Sequence, residues 1–308
     1  MDSKPELSIC IPTWNRDKTL NQLLMSITSQ PDIEELSKRI EIVVCDNGSE
    51  DFTPLLLEFY QKSNPKITIR HIRHERNMGF DYNVCSCFDN ARGEYVWLIG
   101  DDDAVIFGSI KVVLCYIQSK HDVYIGECLW CEEHLIPIGD ANWYDVDLVV
   151  DEYDLKTQMI DWLACINNDG AACGFISTMI VKKTFWAPKT DWMGHCFIHR
   201  SVIASRPRLK IIRDKVVAMR GDCRFDGPNP HDVFMIHMNY INGWIGLSAV
   251  LTKAERPFLH GLVWRQMGSW FGRNPNNTDG IMYEISREAG GRYDEYAVPA
   301  LNKLFGGD

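Results

Sequence analysis

The stretch YVWLIGDDDAV, residues 95–105, sets three consecutive aspartates at the end of an uninterrupted apolar run. A short continuous run of aromatic and β-branched residues is what a strand buried on both faces requires. Three like charges at its end repel one another, and no Lys or Arg stands beside them in the sequence. Carboxylate oxygens are hard ligands, and Mg²⁺ typically takes one or two of them together with substrate phosphates. The stretch therefore predicts a buried strand that delivers an acidic edge to a Mn²⁺ or Mg²⁺ ion carried by a nucleotide. A solvated acidic loop is the plainer alternative.

Outward from this stretch, the first 125 residues alternate strand and helix patterns. Strands are expected over 7–11 (stopped by Pro12), 40–45, 67–72, 95–99 and 122–125. Helices are expected over 19–27, 52–60, 79–91 and 106–118, where apolar residues recur at helical spacing. This alternation predicts an α/β fold, a mostly parallel central sheet with helices on both faces. In such sheets ligands bind at the carboxyl ends of the strands. Three polar clusters fall at those ends: PTWNR after the first strand, CDNGSED after the second and GDDD after the fourth.

Each cluster has a structural and a functional reading. Pro12 ends a ladder and Asn15 or Asp17 caps a helix, or Trp14 forms a wall beside a base. Asp46 closes a turn, or accepts a hydrogen bond from a nucleobase N–H. Neither a GxGxxG fingerprint nor a GxxxxGK[ST] loop is present.

Composition narrows the function classes. The 308 residues are 45% hydrophobic and 24% charged, ordinary for a globular chain, and the formal net charge of −10 argues against nucleic acid as a partner. The eleven cysteines are odd in number and scattered along the chain, and MDSKPELSICIP lacks a signal-like apolar stretch. Together these predict reduced thiols in a cytoplasmic protein.

Beyond residue 125 the periodicity weakens. A hairpin is expected over 128–138, a helix over 155–167, a buried segment in GFISTMIVK (174–182), and helices over 232–251 and 258–271. The stripe LHGLVWRQMGSWFGR (259–273) is either a core-facing helix or one lying on a membrane. The expected domains are 1–230, with a donor half to about 125 and an acceptor half after it, and a helical subdomain over 231–308.

Taken in order, ICIPTWNR, VVCDNGSED, ERNMGFDYNV and GEYVWLIGDDD resemble the donor half of family 2 glycosyltransferases of the GT-A fold, over about residues 6–108. The IGDDD variant with GFISTMIVK is similar to the abequosyltransferase-like branch of surface-polysaccharide synthesis. The resemblance implies an inverting, metal-dependent transfer from a nucleotide-diphosphate sugar to a saccharide or lipid-linked saccharide acceptor. It places Pro12, Thr13, Trp14 and Asn15 along the nucleoside and Asp46 at the base. Arg76, Asn77 and Gly79 fall on the ribose and diphosphate side. The ribose-facing carboxylate is either missing or supplied by Asp101 in a shifted register, with Asp102 as the main metal ligand and Asp103 helping it or holding a neighbouring group. Gly100 departs from the family's first acidic position. The acceptor-side base is expected at Asp191 or His195 in KTDWMGHCFIHR, with Asp222 and Asp226 further candidates and His231 beside the metal or leaving phosphate. A nucleotidyltransferase and a non-catalytic nucleotide-sugar-binding homologue are the competing classes.

Overall fold

The computed structural model describes residues 4–140, 144–145, 147, 149–166, 176–186, 197–220, 244 and 246–271. The chain divides into two compact units, the first made of residues 1–141, 176–186 and 208–223 and the second of 142–175, 187–207 and 224–308. The sequence division at residue 230 falls outside the described residues.

The first unit is built on strands β1 (Leu7–Thr13), β2 (Ile40–Asp46), β3 (Ile69–Arg73), β4 (Tyr95–Leu98), β5 (Ala104–Val105), β6 (Val123–Cys131), β7 (Pro137–Asp140), β9 (Met179–Lys182) and β10 (Arg208–Arg220), with β8 (Glu152–Asp154) in the second. The sheet runs β3-β2-β1-β4-β9-β6-β10-β5, with β7 on β6. It is parallel from β3 to β4, antiparallel on both sides of β9, and parallel again between β6 and β10. The sheet is therefore mixed, its parallel order confined mainly to the first four strands.

Every residue of β1, β2 and β4 is buried, as the apolar runs predict. Alternation along the strands assigns the two faces. Leu7, Ile9, Ile11, Ile42 and Val44 share one cluster with Leu20, Leu23, Leu24 and Ile27 of α1 (Asp17–Thr28), Leu57 of α3 (Thr53–Ser63) and Ile110 and Val113 of α5 (Ser109–Tyr116). Between α1 and α3 lies the single turn α2 (Ile33–Leu36). The opposite face receives α4 (Phe80–Asn90), where the Cys10 thiol donates to the Cys87 carbonyl at 3.6 Å.

Pro12 does not stop β1, which continues to Thr13. Pairing with β4 ends at Cys10 opposite Leu98, and Cys10 carbonyl accepts from Ile99 on that side. Two residues on, the missing Pro12 N–H faces the same side, where no ladder remains to be broken.

In the second unit, α6 (Met159–Cys165), α7 (Phe197–Ala204) and α8 (Arg256–Phe271) are described. Arg206 and Glu255 form a two-point ion pair there, both contacts at 2.8 Å. Leu259, Leu262 and Val263 of α8 are buried, so this half of the 259–273 stripe serves the core. Among the described residues no helix is long and apolar enough to cross a membrane.

Candidate active site

β1 is flanked by β2 on one side and β4 on the other, so the strand order reverses at β1. The crevice at such a reversal, beyond the carboxyl ends, is where open α/β sheets bind ligands. Thr13 ends β1 there and Gly100–Asp103 follows β4. The Thr13 hydroxyl donates to Asp101 Oδ2 at 2.8 Å.

The three aspartates have three different surroundings. Asp101 is buried, held by Thr13 and by Arg16 Nη1, which reaches Asp101 Oδ1 at 3.1 Å. Burial pushes its pKa up to about 6; Arg16 works against the rise and Asp102 adds to it. Asp103 is also buried: Oδ2 accepts from the Ser177 hydroxyl and Oδ1 from Arg220 N–H at 3.1 Å. Asp102 alone is partly exposed. Its Oδ2 accepts from Arg16 Nη1 at 2.8 Å, and its Oδ1 has no hydrogen-bond partner among the described residues.

The acidic turn is thus not without positive charge. Arg16 comes from PTWNR, and Arg220 from the end of β10. The Arg220 guanidinium is fully engaged: Nε donates to Asp102 carbonyl at 2.8 Å, Nη1 to Glu133 carbonyl at 2.6 Å and Nη2 to Gln22 Oε1. Ser177 closes the turn from the other side, accepting from Gly100 N–H at 2.9 Å, while its carbonyl accepts from Trp97 Nε1 at 2.9 Å. Gly100 is confined as well: a Cβ there would stand 2.9 Å from Asp102 Oδ1 and 3.3 Å from Asp103 Oδ2. A side chain at the family's first acidic position does not fit this turn without displacing those carboxylates.

The other loops are laced to one another. Asn15, at φ +52°, donates its N–H to Ser49 Oγ at 2.9 Å and accepts from Glu50 N–H at 2.8 Å; Asp51 accepts from Asp17 N–H at 3.0 Å at the start of α1. Asp46 is fully buried, accepts from Ser49 N–H at 2.8 Å and lies 3.3 Å from His71 Nε2 and 3.5 Å from Arg73 Nε. Burial alone would raise its pKa, but the hydrogen bonds from His71 and Ser49 outweigh that and hold it below the ordinary carboxylate value. Both Asp46 oxygens are therefore engaged, Oδ1 by the turn and Oδ2 by His71 and Arg73 of β3.

Asn47 ties this turn to the next: its side chain donates to Asn77 Oδ1 at 2.8 Å and accepts from Met78 N–H at 2.9 Å. Gly48, at φ +77°, lets the turn approach Arg76, whose backbone would lie 2.8 Å from any Cβ. Gly79, at φ +89°, leads into α4. Arg76, Asn77 and Gly79 are exposed, Trp14 is 48% exposed, and Pro12 is buried within β1. Asn83 of α4 donates to the Thr13 and Cys45 carbonyls at 3.3 and 3.0 Å, holding the ends of β1 and β2 together.

Asp191, His195, Asp222, Asp226 and His231 lie outside the described residues. No cluster of three His, Cys, Asp or Glu side chains arranged to hold a metal is present among the described residues. The donor chemistry nevertheless fits a hard divalent ion: one partly exposed carboxylate with an open oxygen suits an ion that takes its other ligands from phosphates.

A glycosyl transferase family 2 model matches residues 8–180. The chain is 30% identical over 228 residues to abequosyltransferase RfbV of Salmonella typhimurium, covering 70% of this chain and 67% of that protein. It is also 30% identical over 125 residues to the GalNAc(5)-diNAcBac-PP-undecaprenol beta-1,3-glucosyltransferase of Campylobacter jejuni, covering 41% of this chain and 38% of that one. Among solved structures, S. aureus TarS 1–349 in complex with UDP-GlcNAc superposes with a TM-score of 0.66 at 16% identity, covering 97% of this chain and 80% of that one. The mannosyltransferase PcManGT of Pyrobaculum calidifontis, in complex with GDP-Man and Mn²⁺, gives 0.61 at 12% identity, covering 98% and 79%. With the sheet reversal and its acidic turn matching what the motifs imply, the chain belongs to glycosyl transferase family 2 and is a glycosyltransferase of the GT-A fold.

Proposed function

We propose that the protein is an inverting, metal-dependent enzyme that moves a hexosyl or deoxyhexosyl group from a nucleotide-diphosphate sugar to a saccharide or lipid-linked saccharide. The observation that carries this reading is Asp102, the partly exposed carboxylate with an open oxygen at the switch-point crevice. The donors held by two similarly folded proteins, UDP-GlcNAc and GDP-Man with Mn²⁺, support the donor class. The name of the Campylobacter jejuni relative, a glucosyltransferase of GalNAc(5)-diNAcBac-PP-undecaprenol, supports a lipid-linked saccharide acceptor.

Asp102 would hold a Mn²⁺ or Mg²⁺ ion, which supplies charge neutralisation for the departing diphosphate. Asp103, tied to Ser177 and Arg220, fixes the turn that presents Asp102. Thr13 and Arg16 fix Asp101, the carboxylate that the family resemblance sets on the ribose side. Trp14 offers an exposed aromatic face to the base, and Arg76 and Asn77 border the diphosphate. Asp191 or His195 takes the proton of the attacking acceptor hydroxyl. Any membrane contact through 259–273 uses side chains other than the buried Leu259, Leu262 and Val263.

Calorimetry with UDP, GDP, CDP and dTDP, in Mn²⁺ and in EDTA, tests the metal. At least one diphosphate is expected to bind far more tightly with Mn²⁺, and equal affinity in EDTA removes the ion from the reading. Anomeric configuration of the product by NMR tests inversion.

A further inference from the structure

We infer that Arg16 is an exchangeable counter-ion: it neutralises Asp102 while no divalent ion is bound, and on release its guanidinium grips the donor's diphosphate. The inference rests on the metal-dependent reading above and adds a phosphate-binding residue to it.

The way Arg16 uses its fork at the acidic turn carries the argument; Arg70 also works through Nη1 alone, but at Glu41 and the Asn90 carbonyl and with half the exposure. Arg206 engages its carboxylate with two nitrogens, and Arg39 grips Glu6 with Nε at 2.5 Å and Nη2 at 2.9 Å. Arg220 uses all three of its nitrogens. Arg16 makes both of its side-chain contacts through Nη1 alone, to Asp101 and Asp102. Its Nε and Nη2 have no partner among the described residues, and its side chain is 40% exposed. A planar fork whose strength lies in two-point recognition of carboxylate or phosphate is here used at one point. Its remaining donors are available to an anion.

The backbone beneath Arg16 is fixed. The N–H groups of Asn15 and Asp17 on either side are bonded to Ser49 and Asp51, and the Arg16 carbonyl accepts from Leu20 N–H at 2.9 Å to start α1. Only the side chain is free to exchange partners, so no loop has to move. The charge balance favours exchange. Arg220 spends its guanidinium on the Asp102 and Glu133 carbonyls and on Gln22, so Arg16, which meets Asp102 itself, is the cation a divalent ion competes with there. A diphosphate arriving with that ion brings new negative charge to the freed fork.

Titration calorimetry on the wild type and on Arg16→Gln, first with MnCl₂ alone and then with UDP, GDP, CDP and dTDP in saturating Mn²⁺, tests the inference. Without its competitor, Mn²⁺ alone should bind the variant about two- to fivefold more tightly, the scale of a partly exposed ion pair. The diphosphate should bind it roughly tenfold or more weakly, the scale of a lost charge-assisted hydrogen bond. These opposite signs separate exchange from damage, which weakens both. Arg16→Lys, which keeps the charge without the fork, should leave Mn²⁺ affinity near wild type and still weaken the diphosphate. It carries the test should Arg16→Gln not fold. Wild-type Mn²⁺ affinity in Arg16→Gln overturns the counter-ion role, and unchanged diphosphate affinity in both variants overturns the phosphate role. A wild type that binds no Mn²⁺ overturns the metal reading and this inference together, whereas failure confined to the variants overturns the inference alone.

Discussion

Ser177→Ala removes one oxygen from the interior of the acidic turn. That oxygen serves two buried groups at once, accepting from Gly100 N–H at 2.9 Å and donating to Asp103 Oδ2. Ser177 is fully buried. Leaving the Gly100 N–H unpaired costs about 1–3 kcal/mol, and loss of a hydrogen bond to a charged group costs about 1.5–3 kcal/mol. Water entering the vacated volume offsets part of the sum, which leaves roughly 2–5 kcal/mol. At roughly 2 °C per kcal/mol for a chain of this size, the unfolding midpoint should fall by roughly 4–10 °C. Differential scanning calorimetry measures it, and a cycle with Asp103→Asn isolates the pair. Because the two groups share the bond, the double variant should lose clearly less than the two single losses added together. A midpoint within about 2 °C of wild type, or strict additivity, would refute the reasoning that Ser177 and Asp103 hold the turn as one unit.

Asp46→Ala should lower the unfolding midpoint by about 4–6 °C, since Ser49 N–H, His71 and Arg73 lose a buried acceptor worth about 2–3 kcal/mol; nucleotide affinity measured well below that midpoint then tests the base-binding reading, which unchanged affinity would remove. Glu255 has its pKa lowered to about 2 by the Arg206 hydrogen bonds, so its contribution to stability is complete above about 4.5 and is lost as the pH falls toward 2. Glu255→Gln should therefore melt below wild type at pH 7, and the gap should close between about pH 4.5 and 2 in thermal scans. Asp191→Asn should slow transfer by about 10²–10⁴-fold with donor affinity kept within a few-fold; loss of turnover in His195→Ala instead moves the base to the histidine. EDTA should abolish diphosphate binding while shifting the thermal midpoint by less than about 2 °C.

The first four strands were legible because each is a short apolar run with turn residues at its end, and burial on both faces writes that pattern directly. Pro12 misled because the rule that proline ends a ladder holds only where a partner strand still runs alongside, and β4 pairs with β1 no further than Cys10. β10 was illegible for a different reason. In RLKIIRDKVVAMR the pairing with β6 shifts register between Ile212 and Lys215 and again between Lys215 and Val217. A bulge resets the alternation that sequence reading depends on. The carboxylates of the site were visible and their partners were not. Arg16, Ser177 and Arg220 stand 85, 74 and 117 positions from the aspartates they meet. Arg16 was readable only as part of a motif, and Arg220 only once β10 is known. Asp46 was legible as either turn residue or ligand, and its neighbours Ser49 and His71 show the first use to be satisfied.

What neutralises the three aspartates decides which step of the protein's life needs a metal. If the carboxylates faced one another alone, the repulsion would be present during folding, and the ion would have to arrive before the turn closed. Arg220 removes that requirement. Its backbone N–H and guanidinium pin Asp103 and the Asp102 carbonyl from inside the fold, where it is 5% exposed. Arg16 then meets Asp101 and Asp102 from the open side. Burial still presses Asp101 toward its protonated form, a second way for the turn to shed charge near neutral pH. The turn can therefore close without an ion, and Asp102 keeps the one oxygen that no hydrogen bond among the described residues engages. The proposed metal dependence then belongs to donor binding rather than to folding, which is why chelation should separate the two so sharply.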